Sequence, residues 1–174
     1  MKTVKIILGI ITVISIAFFA TGLFIIETQY STEITINKDI EEVFAVMTNP
    51  DETKNWIPEI KKKTIAKQTT GITGSIYNVV VLNQDQEIRM TEQVRAYVPN
   101  EKLTLYYDAE NMLKTNDYLF SKEGNGTKVQ LKATCSSDSY IMSCLFPYFK
   151  NTFRAQDAQY LENLKNYLER DSDS

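Results

Sequence analysis

Hydrophobic and polar positions divide the chain into an unbroken apolar opening, a middle that alternates with a period of two, and a close that repeats at helical spacing. The opening covers residues 6–26, 21 positions without a charge. As a helix rising about 1.5 Å per residue it reaches roughly 31 Å, the thickness of a bilayer's hydrocarbon layer. A secretory signal is the competing reading, with Ala20-Thr21-Gly22 as a small-residue cleavage site. Cutting there leaves Leu23, Phe24, Ile25 and Ile26 on the mature terminus, which favours an uncleaved anchor. A buried core helix is disfavoured, because no polar stripe marks a solvent face.

Beyond the opening, Glu33-Ile34-Thr35-Ile36 alternates as a half-buried strand does, and Asn37 or Asp39 can cap the helix that follows. Val43, Phe44 and Met47 share one face of that helix. Asn49-Pro50-Asp51 breaks it, and a polar turn leads to Trp56-Ile57-Pro58, which holds the only tryptophan. Strand-like runs follow near residues 61–67, 75–82, 87–98, 103–109, 117–121 and 128–135. Turn residues at 71–74, at Asn83-Gln84-Asp85, at Pro99-Asn100-Glu101 and at Gly124-Asn125-Gly126 separate them, so about seven antiparallel strands are expected. A last helix over residues 147–169 carries Phe149, Phe153, Tyr160, Leu161, Leu164 and Leu168 on one face. Periodicity alone thus gives an α+β domain.

The order of strand, short helix, proline break and Trp56-Ile57-Pro58, closed by a long amphipathic helix ending in Leu161-Glu162-Asn163-Leu164, resembles the START-like superfamily. That group is also called SRPBCC, or the polyketide cyclase/dehydrase and lipid-transport family. The resemblance covers residues 33–170 and implies a helix-grip fold, in which a curved antiparallel sheet wraps around the last helix and leaves a cavity between them. The expected organisation is a cytoplasmic tip and anchor at 1–27, a START-like domain at 28–170 and a polar tail at 171–174.

Two charges interrupt the apolar pattern. Asp157 lies four residues from both Phe153 and Leu161, in the middle of the helix stripe. Glu92 shares strand parity with Ile88, Met90, Val94, Ala96 and Val98. Each is either a core-rim group paired with Arg154, Arg89 or a tyrosine hydroxyl, or a polar contact in an apolar ligand cavity. The remaining candidate lining is Trp56, Tyr77, Met90, Tyr107, Met112, Tyr118, Phe120 and Phe153. Tyr106 and Tyr107 point to opposite faces, and the parity of Leu103 and Leu105 favours Tyr107 as the inner one. Lys61-Lys62-Lys63 has the look of a solvated strand edge.

Charge and composition narrow the function. Lys2 and Lys5 precede the apolar span while acidic residues dominate just after it, so the positive-inside rule puts the N-terminus in the cytoplasm and the domain outside the plasma (inner) membrane. Setting those two lysines aside, 17 of the chain's 19 basic residues face 22 acidic ones past the span, which argues against nucleic acid as a partner. The chain has no histidine, and no CxxC, P-loop or G-x-G-x-x-G, so no metal or cofactor is expected. Cys135 and Cys144 leave a disulfide open beside two buried thiols. The expected protein is a single-pass membrane protein whose domain binds a hydrophobic small molecule or lipid. The alternatives are a cyclase/dehydrase-type enzyme on a hydrophobic substrate, in which Glu92 and Asp157 do acid–base work, and a ligand-free protein-interaction module.

Overall fold

The computed structural model describes residues 2–83 and 86–170. The tail at 171–174 and the turn positions Gln84 and Asp85 lie outside the described residues. In chain order the elements are α1 (Lys2–Phe24), β1 (Thr28–Ile36), α2 (Ile40–Thr48), α3 (Thr53–Trp56), β2 (Ile60–Lys67), β3 (Ile76–Asn83), β4 (Gln86–Val98), β5 (Lys102–Ala109), β6 (Met112–Glu123), β7 (Gly126–Ser136) and α4 (Tyr140–Arg170).

The seven strands form one antiparallel sheet in the order β1-β7-β6-β5-β4-β3-β2, so the two strands flanking the short helices lie at opposite edges. Five consecutive hairpins supply the other pairings, as short Gly- and Asn-containing connections require. Helix α4 runs along β1 and meets α3, and the backbone N–H of Asn37 donates to the Glu169 carboxylate at 2.8 Å. The core lies between the inner sheet face and the helices. Ile36, Val43, Val129, Leu131, Leu161 and Leu164 have at most 1 % of their surface exposed. This is the helix-grip arrangement that the resemblance implies.

Several local expectations are corrected. Asp39 occupies the N-cap of α2, but its side chain makes no capping hydrogen bond. A bulge between Val94 and Ala96 shifts the register of β4, so Ala96 and Val98 leave the inner parity. Tyr97 takes their place, its ring edge-on to Phe44 at 5.2 Å, while Val98 is exposed. Helix α4 begins at Tyr140 and carries Pro147 in its interior. Proline supplies no N–H to the Ser143 carbonyl and normally ends a helix, but Cys144 and Phe146 are buried just before it and packing overrides the preference. Phe149 is exposed rather than part of the buried stripe. Cys135 and Cys144 are both free and buried, so the disulfide weighed above is not formed.

Gly126 lets β7 approach β1 closely. A Cβ there would collide with the backbone carbonyl of Ile36 across the β1–β7 pair. Gly126→Ala should therefore push that edge apart and destabilise the fold by about 1–3 kcal/mol, as overpacking does. Thermal melts followed by Trp56 fluorescence check this, and an unchanged midpoint contradicts it.

Candidate functional site

The inner face of the sheet is crossed by polar side chains standing in direct register. Tyr77 on β3 pairs with Glu92 on β4, Glu92 with Tyr107 on β5, and Tyr107 with Lys114 on β6. Cross-strand partners on one face stand about 5 Å apart at Cβ, so the four form one array. Charges from other elements close both ends. Lys63 of β2 binds the Glu92 carboxylate at 2.8 Å, with its ammonium 5.1 Å from the Tyr77 ring centre. Asp157 descends from α4, and its two carboxylate oxygens accept from the Lys114 ammonium at 2.7 and 2.9 Å. The Tyr30 hydroxyl donates to the same carboxylate at 2.8 Å.

Lys63 reaches this position through backbone irregularity. Ile60 opposes Val81, Lys62 opposes Val80 and Lys63 opposes Val79, so Lys61 is an extra residue. Such a bulge inverts the facing of the side chains that follow, here up to the second irregularity between Ile65 and Lys67. Lys63 thereby leaves the solvated edge expected of the lysine run, and its side chain is only 8 % exposed beside a Glu92 that is 3 % exposed. The Asp157–Lys114 pair is slightly wetter on its cationic side, at 16 % exposure.

Glu92 and Asp157 are thus both in buried ion pairs, but with Lys63 and Lys114 rather than with Arg89 or Arg154. On β6, two residues beyond Lys114, the Asn116 amide donates to the Tyr118 hydroxyl at 3.1 Å. Two buried polar atoms of this interior, Trp56 Nε1 and Asn116 Oδ1, have no hydrogen-bond partner among the described residues. Burial pushes the Tyr107 hydroxyl well above its ordinary pKa, and the negative charge of Glu92 adds to the effect. Burial and then Asp157 do the same for Tyr30 and Tyr118. Burial also raises the Cys135 thiol, against the nearby cation of Lys114.

The remaining expected residues divide. Tyr118 joins the array, and Trp56 is buried in the core, its carbonyl accepting from the Asn163 amide at 3.1 Å. Phe153 packs on Tyr30 and Phe146, with ring centres 6.5 and 5.7 Å away. Met90 stands opposite Val79, and Met112, at the start of β6, packs part-buried on the core. Phe120 is not part of the array; its ring meets Phe44 edge-on at 5.0 Å. A void touching Lys63, Tyr77, Glu92, Tyr97 and Leu105 has about 20 Å³, room for one water. Over it lies Ile72, a β-branched residue at φ 69°, between Gly71 and Gly74 at φ 108° and 88°. Left-handed backbone at such a residue costs of order 1–3 kcal/mol and is held by its surroundings. Here these include the Gly74 N–H to Val94 carbonyl bond at 2.7 Å.

Sequence reasoning missed Lys63, Lys114, Tyr30 and Asn116. Lys114 and Asn116 share parity with Tyr118 and Phe120 and could have been found that way. The bulge that turns Lys63 inward leaves no sequence signal.

The model of the family described as "Polyketide cyclase / dehydrase and lipid transport" matches residues 27–169. A comparison with curated protein sequences finds no match. Among solved structures, TTHA0849 from Thermus thermophilus is similar at 15% identity and a TM-score of 0.68, covering 83% of this chain and 99% of that one. SA2116 from Staphylococcus aureus is similar at 11% identity and a TM-score of 0.69, covering 85% and 97%. The di-domain ARO/CYC StfQ from the steffimycin biosynthetic pathway is similar at 10% identity and a TM-score of 0.69, covering 86% of this chain and 53% of its own. At these identities the likeness is one of fold.

Breaking one partner of a buried pair leaves an uncompensated charge. Glu92→Gln should destabilise the protein by about 3 kcal/mol or more. Asp157→Asn should cost less, since Lys114 keeps more access to water than Lys63. Denaturant melts of both variants check the order, and equal midpoints to wild type contradict it.

The tyrosines give a pH signature. Their pKa is raised in the folded state above the unfolded value of about 10, so the stability they contribute is intact below pH ~10 and is lost as pH climbs past it. Tyrosinate absorbance should show that Tyr30, Tyr107 and Tyr118 ionise only as the fold is lost. Ordinary titration of all ten tyrosines in a folded protein contradicts this.

Proposed function

We propose, from the premise that the chain belongs to the polyketide cyclase / dehydrase and lipid transport family, that its domain binds a small amphipathic molecule between the sheet and α4. The polar end of the ligand meets the array around Glu92, Tyr107 and Asp157, and its apolar part lies among Trp56, Tyr118 and Phe153. One observation carries this reading: buried Trp56 Nε1 and Asn116 Oδ1 have no partner among the described residues. An unpaired buried donor or acceptor costs about 1–3 kcal/mol, a cost that a plain structural core avoids and a ligand site accepts.

Entry requires expansion of the 20 Å³ void, and the loop over it supports a route. Ile72 plugs the void from a strained backbone position. Its withdrawal releases strain while exposing Glu92 and Tyr77.

Helix α1 is long and apolar enough to cross a membrane, and none of its residues is fully buried, although residues 18–22 meet α4. A signal sequence has the same features. We read it as a single-pass anchor with Lys2 and Lys5 in the cytoplasm and the domain of residues 28–170 outside the plasma (inner) membrane. Two other functions have specific support. The StfQ likeness favours a cyclase-type enzyme, with Tyr107 between two carboxylate–lysine pairs as its polar centre. The nearly filled interior favours a ligand-free interaction module.

Titration of the full chain in nanodiscs with a fluorescent fatty acid, read by energy transfer from Trp56, separates these outcomes. The expected result is saturable binding, competed by unlabelled fatty acid, faster in Ile72→Gly and weakened in Ala133→Phe, whose new ring stands opposite Asn116 and Tyr30. A folded chain with no saturable binding contradicts the ligand reading. Protease accessibility in intact cells tests the topology: a domain cleaved only after permeabilisation contradicts it.

A further inference from the structure

The N-terminal part of α4 meets the outer end of α1. Phe18 stacks on Tyr148 at 6.2 Å between ring centres and Phe19 on Tyr140 at 6.3 Å. The Tyr140 hydroxyl donates to the Phe19 carbonyl at 2.5 Å, and the Thr21 hydroxyl, which donates to the Phe18 carbonyl of its own helix at 2.5 Å, lies 3.2 Å from the Cys144 carbonyl. A Cβ on Gly22 would stand 2.5 Å from the Cys144 sulfur, so the glycine permits this approach. A short stretch of α1, residues 18–22, thus meets a longer stretch of α4, residues 140–148, which means that the helices cross steeply instead of running side by side.

With α1 along the bilayer normal, a steep crossing lays the start of α4 across the membrane surface. The crossing lies two to six residues before Phe24, about 3–9 Å inside the end of α1. That depth is the boundary between acyl chains and headgroups, where aromatic side chains concentrate. Tyr140, Ile141, Tyr148 and Phe149 are exposed there, at 44%, 58%, 60% and 47%. They continue the apolar surface of α1 itself.

Basic residues stand beside this apolar segment. Between α4 and the β1–β7 edge is an open groove of about 490 Å³ that includes Lys132, Lys150, Asn151 and Arg154. Among the described residues none of these three cations has an ion-pair partner. Residues 139–156 contain no acid. Acids flanking this face include Asp138 in the preceding turn, Glu27, which accepts a hydrogen bond from Gln29, Asp108 and Glu110 at the β5–β6 turn, and Asp117, which stands opposite Lys132 in the sheet but is bound by Lys102 at 3.1 Å. The chain past the span is net acidic, so an anionic surface repels it as a whole and attracts it only through a face like this one.

We propose that the first turns of α4, with Lys132, Lys150 and Arg154, form a docking surface for anionic phospholipid of the bilayer that α1 spans. The aromatic and aliphatic side chains enter the interface, and the cations engage headgroup phosphates, for which the Arg154 guanidinium is suited by its planar fork. The domain is thereby held in one orientation against the membrane. This rests on α1 being a span.

The test uses the full chain in nanodiscs of phosphatidylcholine alone or mixed with phosphatidylglycerol, with Phe149→Trp compared against the parent chain. Brominated acyl chains should quench the tryptophan at position 149 beyond the parent's signal, and more strongly as the phosphatidylglycerol share rises. Lys132→Glu, Lys150→Glu and Arg154→Glu together should abolish that rise. Carbonate extraction in parallel reports α1 insertion by itself. Extraction-resistant chain without quenching at position 149 overturns the docking surface while leaving the span in place. Quenching that is indifferent to lipid charge overturns the anionic headgroup site, and release by carbonate removes the span and this proposal together.

Discussion

The contact on which the rest of this structure depends is the clasp of Asp157 by Lys114 and Tyr30. It joins the middle of α4 to β6 and β1 through three charge-assisted bonds of 2.7 to 2.9 Å in a site from which water is largely excluded. Leu161, Leu164 and Leu168 would bury their area in several neighbouring registers of the helix, because the hydrophobic effect is non-directional. The carboxylate admits one. With that register set, Phe153 meets Tyr30, the end of α4 meets Asn37, and the first turns overhang the sheet and reach α1.

The polar interior follows from strand register as much as from residue type. Tyr77, Glu92, Tyr107 and Lys114 are scattered over 38 residues, yet hairpin pairing puts them side by side. Bulges in β2 and β4 adjust this face, one turning Lys63 inward and the other replacing Ala96 and Val98 with Tyr97. Buried ion pairs are poor sources of stability compared with well-packed apolar residues. Two of them beside unpaired Trp56 and Asn116 atoms make this interior costlier than a core needs to be, which is the expected signature of a site retained for function.

Much of this architecture was legible from periodicity. The alternating strands and the amphipathic close led to an α+β domain, since apolar patterning is what the sheet and helix bury, and the family resemblance carried by Trp56-Ile57-Pro58 and the last helix implied the helix-grip fold. Glu92 and Asp157 stood out because a charge on an apolar stripe breaks that pattern. Their partners did not stand out, for two physical reasons. Lys114 and Asn116 made the first half of β6 look like a loop, so the inner parity of that strand was hidden by the very residues that matter. Lys63 depends on a bulge, and backbone irregularity is set by cross-strand pairing rather than by local sequence. The start of α4 was misjudged because proline is a local signal and the burial of Cys144 and Phe146 is a tertiary one.

The central claim is that the space between sheet and helix exists for a ligand. Native mass spectrometry of the full chain, released gently from its own membrane, tests it most directly. The account predicts one tightly held molecule per chain, amphipathic by fragmentation, that outlasts annular lipid and is missing from the Ala133→Phe variant. A wild-type chain that flies only at its bare mass, or with the same loosely held lipids as that variant, would contradict it.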